Sequence, residues 1–187
     1  MNQETKAIET NSTKNVRKLT ASGICLALCL VLPFLTGQIP EVGSMLCPMH
    51  IPVLLCGLLC GWQYGLVVGV IAPLLRYLLF GMPPIFPTGI SMAFELAAYG
   101  AVSGILSKKL PKKVFSVYGA LIGAMLAGRF VWGAVRFLMA LLFGVEFSFA
   151  AFVGGAFITA VPGIICHIVL IPVLVFGLRR AGFRYNE

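Results

Sequence analysis

Apolar positions in this chain fall into six long runs: Leu19–Thr36, Met45–Gly61, Tyr64–Phe80, Thr88–Ser107, Val114–Phe143 and Phe149–Leu178. Neither the alternation of a half-buried strand nor the narrow stripe of a soluble amphipathic helix describes them. At ~1.5 Å of rise per residue each run approaches or exceeds the ~30 Å of hydrocarbon that a transmembrane helix must cross. The breaks between them, GQIPEVGS, GWQ and GMPPIFP among them, are short and rich in Gly and Pro. Backbone of that kind is not left facing lipid. The pattern predicts an all-α integral membrane protein, a six-transmembrane-helix bundle over residues 18–180. A disordered polar tail (1–17) precedes it and a short tail (181–187) follows.

Composition agrees: 59% of the 187 residues are hydrophobic and 11% charged, with mean hydropathy +0.99, far above what a soluble domain carries. The net charge of +8 adds the topology. Eleven of the 14 Lys and Arg lie in three patches: Lys6 to Lys18, Lys108 to Lys113, and Arg179 to Arg184. The loops near 37–44, 81–87 and 144–148 contain none. By the positive-inside rule both termini and the Lys108 loop are cytoplasmic. This distribution explains the basic balance without a nucleic-acid partner, which needs a clustered, exposed basic surface. The polar start, with Glu4 and Glu9, is unlike a signal peptide.

Three arginines, Arg76, Arg129 and Arg136, lie inside apolar runs together with His50, His167 and Glu95. Ionisable groups in a membrane interior cost about 2.5–3.5 kcal/mol each on insertion scales, and they commonly mark a solute path. Converted to depth, His50, Arg76, Glu95, Arg129 and Arg136 all belong to the outer half of the bilayer. His167 falls towards the cytoplasm and reads as an isolated, packed or carbonyl-bonded histidine. Helical spacing puts Ser91, Glu95 and Tyr99 on one face and Arg129, Trp132 and Arg136 on another. The expected site is a polar, aromatic-walled cup that opens outward. There Arg grips a carboxylate or phosphate, Glu95 accepts from a hydroxyl or amine, and Trp132 or Tyr99 packs the apolar part. A purely structural reading, with Glu95 neutralising one arginine and Arg136 snorkelling outward, competes with it.

Helix 1 carries a small-residue face, Ala21, Ser22, Gly23, Cys25 and Ala27, with one strict small-xxx-small pair, Gly23 and Ala27. It suits packing within the bundle or docking of a separate membrane subunit. Gly65-xxx-Gly69 and Gly119-xxx-Gly123 suggest further tight crossings. The six cysteines form no CxxC pair and accompany no histidine cluster, so they read as apolar packing residues and no metal is expected. The chain has no Asp, no GxxxxGK[ST], no HExxH and no GxSxG, and no cofactor is expected. A binding subunit that borrows its energy from partners fits best. An ion-coupled solute transporter, or a membrane transferase using His50 and Glu95 as acid and base, is the alternative.

The run GSMLCPMHIPVLLCGLLCGWQYGLVVGVIAPLLRYLLFG, followed by MAFELAAYG, together with the small-residue first helix, resembles the substrate-binding S components of energy-coupling-factor (ECF) transporters, bacterial vitamin importers of the cell membrane. The resemblance implies a transmembrane T component and two ATPase subunits as partners. It also implies an outward pocket formed largely by helices 4 to 6 and the outer loops, which favours Glu95, Tyr99, Arg129, Trp132 and Arg136. The family's docking motif on helix 1 is Ala-xxx-Ala, from which this chain departs, its nearest matches being Gly23-xxx-Ala27 and Ala21-xxx-Cys25. Its members carry riboflavin, pantothenate, folate, pyridoxine-like compounds and other micronutrients. The arginine excess favours an anionic, pantothenate-like ligand.

Overall fold

The computed structural model describes residues 3–35, 45–111 and 114–181, which form helices and no strand. In chain order the helices are α1 Gln3–Leu35, α2 His50–Cys60, α3 Trp62–Phe80, α4 Ile90–Lys109, α5 Val114–Phe143, α6 Phe149–Val153 and α7 Val161–Arg180. Wide turns at Ile85–Gly89 and Gly154–Ile158 precede α4 and follow α6. The expected outer loop 37–44, Lys112, Lys113 and the tail beyond Ala181 lie outside the described residues.

Among the described residues, five stretches are long and apolar enough to cross a membrane: Ser12–Leu35, Trp62–Phe80, Ile85–Lys109, Phe115–Phe143 and Val161–Arg180. Where a sixth of that kind is expected, the run from Met45 gives only the 11-residue α2, about half a hydrocarbon thickness. The cause is local. Cys47 takes φ 47°, in the left-handed region that a non-glycine residue rarely adopts. Pro48 follows it and disfavours helical geometry in the residue before it. The helix restarts at His50, whose N–H donates to the Cys47 carbonyl at 3.0 Å.

A short helix is enough here because α2 faces no lipid. It packs against α1, α3, α4, α5 and α7, and every residue from Pro52 to Cys60 is buried. An all-apolar helix surrounded in this way is a core element. Its contact with α3 and α4 runs through glycine: a Cβ on Gly65 would lie 2.8 Å from Gly57 Cα and 2.8 Å from the Gly100 carbonyl carbon. Three backbones therefore meet where only glycine fits. Leu54, Leu58, Leu96 and Leu121 fill the surrounding core.

Other expectations change. The polar stretch before Arg17, expected to be disordered, continues α1 as helix from Gln3; it has no Gly or Pro to interrupt it. The 30-residue α5 runs unbroken through Gly133, over which the Phe152 ring lies. The run from Phe149 is not one helix. It is interrupted at Thr159 and Ala160, and α7 begins afresh with Pro162 in its first turn, where the missing N–H costs nothing. This shifts everything beyond it in depth.

Candidate functional site

The buried stripe of α4 supplies the centre. Ser91, Glu95 and Tyr99 all face inward, as their spacing predicts, at 0%, 2% and 2% exposure. Ser91 turns back on its own chain, donating to the carbonyls of Pro87 (3.0 Å) and Thr88 (2.9 Å). Glu95 gathers partners from three helices on one oxygen, Oε1. Arg129 Nη1 of α5 lies 2.9 Å from it, the Tyr99 hydroxyl donates at 3.2 Å, and His50 Nε2 of α2 stands at 3.5 Å. Gly128 lets the Tyr99 ring reach this position, since a Cβ there would come within 2.7 Å of the ring.

Cys47 closes the cluster from the segment before α2. Arg129 Nη2 donates to its Sγ at 3.8 Å, and the Cys47 backbone hydrogen-bonds His167. His50 and His167 lie with ring centroids 6.0 Å apart, and the His50 ring meets the edge of Tyr99 at 5.0 Å. His167 is therefore not isolated: because α7 starts at Val161, it lies only about two turns along that helix and joins the same layer.

Two turns along α5, about 10 Å from Arg129 along the axis, Arg136 occupies a second group. Its guanidinium carbon lies 5.8 Å from the Trp132 ring centroid and 5.7 Å from that of Phe147. Phe152 stacks on Trp132 at 6.2 Å. Arg136 makes no ion pair with any carboxylate among the described residues.

Arg76 is not brought to this layer. It lies between α3 and α1, donating from Nη1 to the Leu30 carbonyl at 2.7 Å, with the rings of Phe34 and Phe80 5.2 and 5.5 Å away. Its role is to tie the two helices together. Among the small residues of α1, Ala21 and Cys25 pack inward against the core, whereas Gly23 and Ala27 are exposed and Gly23 has nothing within 4 Å of where its Cβ would stand.

The sequence reading missed Cys47, His167, Phe147 and Phe152. For Cys47 the signal is its place directly before Pro48; His167 depends on the break after Ile158, which no periodicity marks, and Phe147 and Phe152 on the placement of the short α6 ahead of that break. Oε1 of Glu95 is already taken by a guanidinium and a phenol, and the His50 contact at 3.5 Å is too long for a proton-passing hydrogen bond. Among the described residues no group of three or more His, Cys, Asp or Glu is placed to hold a metal ion.

Compared with known proteins, residues 17–178 match a family model described as ECF transporter, substrate-specific component. No curated protein and no solved structure matches the chain.

Proposed function

The chain belongs to the family of substrate-specific components of ECF transporters, and on that premise we propose that it captures a water-soluble, vitamin-like anion, with a pantothenate-like carboxylate favoured, at the layer formed by α2, α4, α5 and α7. It is a multi-pass membrane protein whose family binds transport substrates and does not catalyse reactions. The observation that carries the site is the convergence of Arg129, Tyr99 and His50 on one buried oxygen of Glu95. The pair fixes the layer, and Arg136, lacking a carboxylate partner among the described residues, supplies the excess positive charge that an anion needs. Trp132, Phe147 and Phe152 offer flat apolar surface beside it.

The partners proposed are a transmembrane T component and two ATPase subunits in a bacterial cell membrane, with both termini of this chain cytoplasmic. Gly23 and Ala27 favour docking over internal packing: they face outward on α1 beside Ile24 and Leu28, so another helix can approach them closely. The test is to purify the chain alone, identify any bound small molecule by native mass spectrometry, and titrate the protein with a vitamin panel. Stoichiometric binding without turnover supports capture; turnover, or transport driven by an ion gradient in liposomes holding this chain alone, would replace it with an enzyme or an ion-coupled carrier.

A further inference from the structure

Among the described residues, the buried side-chain nitrogens and oxygens that lack any hydrogen-bond partner are six, on four side chains of α2, α5 and α7: both ring nitrogens of His50, His167 Nε2, Arg129 Nε, and Nε and Nη1 of Arg136. A buried polar atom left unpaired costs about 1–3 kcal/mol, and native structures keep few of them. Their concentration marks where a partner is missing. His50 and His167, at 3% exposure, and Arg129, at 9%, are enclosed, and Arg136 is half-buried.

The six atoms form two groups of different chemistry. At the inner group, one edge of His167 is engaged by the Cys47 backbone, so Nε2 alone remains; a neutral imidazole carries one donor and one acceptor. Both His50 nitrogens are without a hydrogen bond, so its neutral ring presents one N–H and one lone pair. Arg129, whose terminal nitrogens meet Glu95 and Cys47, has Nε–H as its one nitrogen without a partner. A mixed set of donors and acceptors, already balanced in charge by the Arg129–Glu95 pair, suits a neutral group that both donates and accepts, such as a hydroxyl or an amide. At the other group Arg136 offers donors only, has no carboxylate partner among the described residues, and is flanked by Trp132 and Phe147. That suits a carboxylate or phosphate.

Resting on the capture reading above, we infer that the ligand is an elongated, two-ended anion: an acidic group held by Arg136 and, towards the Arg129 end of α5 about two turns back, a hydroxyl- or amide-bearing end held by His167, His50 and the Arg129 Nε–H. This gives His167 a direct binding role and assigns Arg129 Nε–H a contact of its own. Simple cations, and anions with no polar far end, are excluded from the class.

The test uses three probes on the purified chain in detergent, by isothermal titration: pantothenate, panthenol, in which an alcohol replaces the carboxylate, and dideoxypantothenate, in which both hydroxyls are replaced by hydrogen. The expected result is that removing either end weakens binding about tenfold or more. Arg136→Ala should weaken pantothenate by a similar factor while leaving panthenol unchanged; His167→Ala should do so for pantothenate while leaving dideoxypantothenate unchanged. Should His167→Ala fail to fold, His167→Gln serves, with a partial loss expected. Equal affinity for all three probes overturns the inference. If none binds, the small molecule found on the protein by native mass spectrometry decides. An acid with a hydroxyl or amide at its far end supports the class, and a cation or neutral compound overturns it while leaving capture intact. A protein that neither carries nor binds any small molecule overturns both.

Discussion

Arg129 Nη1 lies 2.9 Å from Glu95 Oε1, joining α5 to α4 with both side chains buried. The pair is as much a structural clasp as a binding element, because a buried charge stripped of its partner costs far more than the intact pair contributes.

Arg129→Ala should therefore destabilise the fold by about 3–5 kcal/mol, the usual cost of breaking a buried pair. Arg129→Ala combined with Glu95→Gln should recover part of that loss, since no charge is then left alone. Thermal unfolding in detergent, followed by loss of the monodisperse peak on size exclusion, reads both. Equal melting of single and double variants would show that Glu95 finds another partner.

Arg76→Met should lower stability by about 1.5–3 kcal/mol through the lost bond from a charged donor to the Leu30 carbonyl, without altering ligand affinity. A change in affinity at unchanged stability would place Arg76 in the binding machinery.

Gly65→Ala should destabilise by about 1–3 kcal/mol or more, as overpacking does, because its Cβ would meet the backbone of Gly57 and Gly100. Gly23→Ala, with open space around it, should instead stabilise α1 by up to about 1 kcal/mol. The pair of variants, measured side by side, separates the crowded helix crossing from the open face.

Ala27→Leu should abolish co-purification with a T component while ligand affinity stays at the wild-type value, since Ala27 is exposed on α1 and touches nothing in the ligand layer. Retention of the complex would move the docking face elsewhere.

Glu146→Cys should react with a membrane-impermeant maleimide in intact cells and Lys109→Cys should not, if the Lys108 loop is cytoplasmic. Both positions are exposed, while the native cysteines are buried or half-buried and give little background. Labelling of Lys109→Cys and not of Glu146→Cys would invert the topology.

The sequence carries the helical membrane class in runs of apolar residues too long and too uniform for a soluble core. It also determined the inward stripe of Ser91, Glu95 and Tyr99, because helical period alone sets which residues share a face. Periodicity cannot set what depends on a break. The left-handed Cys47 shortens α2 and carries the thiol to Arg129; the interruption at Thr159 and Ala160 lifts His167 into the same layer. The tertiary structure alone decided that Glu95 pairs with Arg129, that Arg76 turns away to α1, and that Gly23 faces outward while Ala21 faces in. Each of these is a choice of partner between helices, fixed by packing and charge pairing across distances that no local pattern along the chain encodes.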